Sequence, residues 1–149
     1  TGWEDLNLLP AVANIYYDGT YVGQTRISPS NMTDTLELAL GRDRRIIIEQ
    51  KKISNEEKIK KLSNEKESTL TYQITVKSMK SSHIKLTIMD QIPLTNVEEI
   101  KVNLINKGKA DYNQHKGFLT WNTTINPRET KKIKYVYSVT YNKDKNLIL

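Results

Sequence analysis

The tetrapeptide Asp90-Gln91-Ile92-Pro93 places a carboxylate, an amide and a rigid X-Pro step together, and no other stretch of the chain has as much scope for chemistry. Asp90 is in register with Ile84, Leu86 and Ile88, so alternation along a strand points its side chain inward. An inward carboxylate can serve as an acid or base, as a ligand contact, or as an acceptor for backbone N–H groups at a strand end. The last is the common use of Asp before an X-Pro step. By proximity the donors would be the N–H groups of Ile92, Leu94 and Thr95. Pro93 has no N–H and ends the strand. Asp90, Gln91 and Pro93 are read as a structural turn, with ligand binding and catalysis as the competing uses.

Other candidates are weaker. His83 and His115, the two histidines, each fall in a lysine-rich turn and read as solvated side chains. HExxH, GxSxG and paired-cysteine spacings are absent from the sequence. No cofactor or metal is expected. Arg42-Asp43-Arg44-Arg45 forms a compact charged turn, either solvated or a contact for a phosphate or acidic sugar. Trp121 alternates with Leu119 and reads as core, with a sugar-stacking platform as the alternative. Tyr16, Tyr17 and Tyr21 cluster at a hairpin, where cross-strand packing competes with a partner-binding patch.

Composition narrows the classes. There is no cysteine, which removes disulfides, Cys-ligated zinc and thiol nucleophiles. The formal net charge is +6, but 18 of the 23 basic residues are Lys and five are Arg. Guanine and phosphate readers depend on the Arg fork, and these lysines are scattered among glutamates, so no nucleic-acid partner is expected. No run of 18 apolar residues exists, so no membrane-spanning helix is expected. The start, Thr1-Gly2-Trp3-Glu4-Asp5, does not read as a signal peptide, and the chain is taken as part of a longer protein.

The elements that must position these residues are strands. Leu70, Tyr72, Ile74 and Val76 alternate with Thr71, Gln73 and Thr75. Ile84, Leu86 and Ile88 follow, then Ile100, Val102 and Leu104, then Leu119, Trp121 and Ile125. Ile133, Tyr135, Tyr137, Val139 and Tyr141 close the series. Each pattern predicts a half-buried strand in an antiparallel sheet. Val12–Tyr17 and Thr20–Arg26 read as a hairpin around Asp18-Gly19, a pair suited to a type I′ turn. Pro29 with Ser28, Ser30 and Asn31 marks a loop, Leu36, Leu38 and Leu40 a short strand, and Gly41-Arg42-Asp43 a turn. Ile46-Ile47-Ile48 reads as a strand buried on both faces or passing between sheets.

Residues 51–67 carry ten charges in seventeen positions. A short peripheral helix capped by Ser54 and Glu57 and an exposed hairpin-like excursion are both open there, and the second is preferred. The whole predicts a single all-β domain over residues 1–149, a two-sheet antiparallel sandwich of immunoglobulin-like type, with a closed barrel as the alternative.

Several of these stretches, taken in order, resemble a known family. They are Leu8-Leu9-Pro10-Ala11, Asp18-Gly19-Thr20-Tyr21-Val22-Gly23, Leu38-Ala39-Leu40-Gly41-Arg42-Asp43, Tyr72-Gln73-Ile74-Thr75-Val76, Asp90-Gln91-Ile92-Pro93, Ile100-Lys101-Val102, Gly117-Phe118-Leu119-Thr120-Trp121 and Tyr135 to Tyr141. The set is similar to the C-terminal domain of mucoidy-inhibitor-A-like proteins. Ser78 and Asn142 depart from it at turns. The resemblance implies a β-sandwich, a preceding partner region that often includes a coiled coil and, in many bacterial members, export to the periplasm; it implies no reaction. The expected role is a non-enzymatic structural or protein-interaction module of an envelope-associated protein. Its partner would be another region of its own full-length chain or another protein, met at a sheet edge or on the first hairpin. A carbohydrate- or anionic-polymer-binding module is the alternative.

Overall fold

A computed structural model describes residues 9–17, 19–27, 41–60 and 64–145. Asp18, the Pro29 loop with Ser28, Ser30 and Asn31, and the Leu36–Leu40 strand lie outside the described residues. The chain divides into two compact units, Thr1–Arg44 and Arg45–Leu149.

The first unit contains a hairpin of β1 (Ala11–Tyr17) and β2 (Thr20–Ile27). Tyr17 pairs with Thr20, so the connection has two residues, and Gly19 has the positive φ of 73° that such a turn needs. The register slips by one residue between Ile15 and Tyr16.

The second unit is a sandwich of two antiparallel sheets. Among the described residues seven strands build it: β3 (Ile46–Lys60), β4 (Glu65–Ser78), β5 (Ile84–Gln91), β6 (Lys101–Asn106), β7 (Asp111–Asn113), β8 (Phe118–Ile125) and β9 (Thr130–Asn142). One sheet has the order β3-β4-β9-β6 and the other β5-β8-β7. Both keep open edges among the described residues, so they do not form a barrel. No helix occurs among the described residues.

The inward rows are those that alternation marks. Leu70, Ile74 and Val76 of β4 are buried, as are Ile133, Tyr135, Tyr137, Val139 and Tyr141 of β9. Against them pack Ile88 of β5 and Leu119, Trp121 and Ile125 of β8. β-branched and aromatic side chains suit this pleated, half-buried surface, and their period of two puts every apolar member on one face. Past β5, Ile92 is also in the core and donates its N–H to the Gly117 carbonyl at 3.0 Å, tying the strand end to β8.

One expectation changes, and of the two readings of the charged stretch the preferred one agrees with the structure. Ile46–Ile48 does begin a strand, but Ile47 is 48% and Ile48 53% exposed, so the segment is not buried on both faces. β3 lies at the end of its sheet, where Ile46 packs against the core while Ile47 and Ile48 stay half-exposed. The described residues of 51–67 form no helix. Ser54 pairs with Thr71 in the β3–β4 ladder, and β4 begins at Glu65. This is the hairpin reading, with the strands running through most of the charged stretch. Cross-strand pairing satisfies the backbone there, so the segment needs no apolar stripe of its own.

Candidate functional site

Asp90, near the end of β5, faces β9 and β3 of the other sheet. One carboxylate oxygen accepts the Tyr135 hydroxyl at 2.8 Å and the Gln50 side-chain amide at 2.6 Å; the other accepts the Gln91 N–H at 2.9 Å. The Gln50 amide nitrogen also donates to the Tyr135 oxygen at 2.8 Å. The donors that proximity in sequence suggested are not the ones used. Ile92 N–H goes to Gly117, and Asp90 instead fastens the three-stranded sheet to two strands of the four-stranded sheet. Charge-assisted bonds of this kind are the stronger class, which suits a carboxylate that is partly buried.

Around this bond the tyrosines form a stack. Tyr72 and Tyr135, paired across β4 and β9, have ring centroids 5.4 Å apart and planes 8° apart. Tyr72 and Tyr137 are 5.8 Å apart at 5°. Trp121 closes the group against Tyr135 at 5.8 Å and 41°. Burial, then the hydrogen bond to Asp90 and its charge, pushes the Tyr135 phenol well above its ordinary range, with the Gln50 bond opposing. Burial, then the hydrogen bond to Tyr72, does the same for Tyr137. The arrangement keeps both phenols neutral and donating.

A pH dependence follows. A phenol raised in the folded state holds its proton more tightly there than in the unfolded chain, where it titrates at about 10. The contribution of Tyr135 and Tyr137 to stability is therefore complete below about pH 10 and is lost as pH rises beyond it. In an alkaline absorbance titration, these two of the eight tyrosines should stay protonated until the fold opens. Eight phenols titrating reversibly together near the ordinary value would contradict this.

Gln91 is exposed and donates to the Lys116 carbonyl at 2.8 Å; Pro93 is exposed beyond the end of β5. Trp121 is only 4% exposed, with its indole N–H donating to the Gly108 carbonyl at 2.8 Å, so it offers no platform for a sugar. Arg42 and Asp43 are exposed in the irregular segment before β3. In the hairpin, Tyr16 and Tyr21 are 65% and 52% exposed and meet edge to face at 5.6 Å. Tyr17 ends β1. His115 lines a shallow open depression with Asp111, Tyr112, Asn113, Gln114 and Thr120. No cluster of three or more potential metal ligands occurs among the described residues.

Two features escaped sequence reasoning. One is Gln50, which sits in a charged stretch and has no local signal for its role. The other is the exposed outer strand β3. Gln50 links the two, because its inward side chain binds Asp90 and so clamps β3 onto the opposite sheet. On its other side β3 has no neighbouring strand among the described residues, and Ile47, Ile48, Ile53 and Ile59 are all 44–63% exposed. An outer strand of 15 residues with four exposed isoleucines departs from the usual protection of edges by short length and charge. Its lysines and the register slip between Lys52 and Ser54 supply part of that protection.

Fold and site together define a β-sandwich with a clamped, accessible edge strand. The chain belongs to the family described as Domain of unknown function (DUF4139), whose model matches residues 9–143. It is 30% identical over 101 residues to "Protein F37C4.5" of Caenorhabditis elegans, a match that covers 67% of this chain and 18% of that protein. The chain thus spans under a fifth of this relative's length. No solved structure matches it.

Proposed function

We propose that this domain is a non-catalytic protein-interaction module of a larger protein, and that it binds by accepting a partner strand along β3. The carrying observation is the 15-residue outer strand, unpaired on one side among the described residues and lined with half-exposed isoleucines. Strand addition draws affinity from main-chain hydrogen bonds and specificity from alternate side chains, and β3 offers both. The Gln50–Asp90 bond supports the reading, because an edge already held in place costs less ordering entropy on binding. Asp90 is committed to three hydrogen bonds within the fold, which leaves it poorly placed for acid–base work.

A photoreactive residue in place of Ile47, in the full-length protein inside its source cells, tests this. A covalent adduct to a protein is the expected result. If neither Ile47 nor Ile59 yields an adduct on irradiation, β3 is not the interaction surface.

A further inference from the structure

The structure assigns a particular occupant to this edge: a second copy of the same chain, paired antiparallel through β3 about a twofold axis at Gln50. This deepens the interaction reading and rests on it. Ile47, Glu49 and Lys51 pair with Lys77, Thr75 and Gln73 of β4, whereas Ile48, Gln50 and Lys52 pair with the inward residues Val76, Ile74 and Tyr72. Ile47, Glu49 and Lys51 therefore share the outward face. Glu49 and Lys51 already lie together there, 2.9 Å apart, with side chains 54% and 66% exposed.

In a twofold antiparallel pair, residues whose numbers sum to a constant face each other, and the same patch is used on both subunits. With Gln50 on the axis, Glu49 faces Lys51 of the partner subunit, and Lys51 faces the partner's Glu49. Two opposite-charge pairs form at once. Ile47 then meets Ile53 of the partner subunit, the residue at the register slip, and two half-exposed isoleucines are covered on each side.

Neighbouring registers fail. An axis at Glu49 sets glutamate against glutamate, and one at Lys51 sets lysine against lysine; like charges directly opposite are destabilising. An axis at Ile47 would bring Arg45 toward the partner's Glu49, but Arg44 and Arg45 form a turn, which leaves only a short extended segment to pair. The Gln50 register joins two four-stranded sheets into one of eight strands and pairs the open β3 edge of each copy, leaving β6 at both ends.

Sedimentation equilibrium of the 149-residue chain should show a monomer–dimer equilibrium. Glu49→Lys alone and Lys51→Glu alone should each weaken dimerisation by about tenfold, because two attractive pairs become two repulsive ones. An equimolar mixture of the two variants should recover the dimer as a heterodimer, since each lysine of one then faces a glutamate of the other. The mixture also guards against misfolding, because a variant that does not fold cannot be rescued by its counterpart. A wild-type chain that stays monomeric overturns the proposal, as does a dimer indifferent to both variants. A dimer lost in each variant and not restored on mixing overturns the Gln50 register. An adduct from Ile47 to a different protein, with a monomeric wild type, would retain β3 as the interaction surface and remove self-pairing.

Discussion

Replacing Trp121 by Ala should lower the unfolding free energy by about 3–5 kcal/mol, the range for deleting a large aromatic from a packed core. The indole is 4% exposed and bridges the sheets, since it lies on β8 and packs on Tyr135 of β9. It also holds the Lys107–Ala110 turn through its bond to the Gly108 carbonyl. That turn cannot easily shift to fill the space. Gly108 has a φ of 57°, and a Cβ there would sit 2.1 Å from the Lys134 carbonyl oxygen, so its backbone is pressed against β9. Poor relaxation around a deletion is what drives its cost to the upper part of the range. Trp121→Phe keeps most of the apolar contact and loses the N–H bond, so it should cost less. Urea denaturation decides the matter: a loss below about 1 kcal/mol for the Ala variant would mean the ring contributes little to the core.

Asp90→Ala should cost about 1–3 kcal/mol, because it leaves the buried Tyr135 hydroxyl without its acceptor, while the exposed Gln50 amide keeps its bond to the Tyr135 oxygen. Asp90→Asn keeps an acceptor oxygen and removes the charge, so its cost should be smaller. Tyr135→Phe removes the donor instead. If the hydroxyl and the carboxylate stabilise each other, the double variant with Asp90→Ala should lose less than the sum of the single losses. A coupling of about 0.5–3 kcal/mol is the size expected for residues in direct contact. Additive losses would show that the bond between the sheets carries no energy of its own. Asp90→Asn should also let Tyr135 ionise at lower pH than in the wild type, because the carboxylate charge is among the causes that hold the phenol high.

The interaction proposal and the stability predictions meet at Gln50. Its bond to Asp90 orders β3, so Asp90→Ala should loosen the outer strand as well as the core. A weaker dimer in this variant is expected for that reason, and the charge-reversal pair at Glu49 and Lys51 separates this indirect effect from the contact itself.

The inward rows of β4, β5, β8 and β9 were legible in the sequence, because a period of two is a local property and burial on one face writes it directly into residue type. The first hairpin was legible for a similar reason: Asp18-Gly19 is suited to the positive φ of a two-residue turn. The inward direction of Asp90 could also be read from its register with Ile88. Its partners could not. Gln50 and Tyr135 lie 40 and 45 residues from Asp90, and only the packing of one sheet on the other brings them to it. The exposure of Ile47 and Ile48 was hidden too, because an unbroken β-branched run looks alike in a buried central strand and in an outer one. Sheet order decides between them, and that order is set by long-range pairing of β4 with β9, which leaves β3 outermost. Local sequence thus determined which residues are strands and which way they face; neighbours across the sandwich, and with them the clamp and the exposed edge, were decided by tertiary structure, because hydrogen-bonded pairing between distant strands has no local signature.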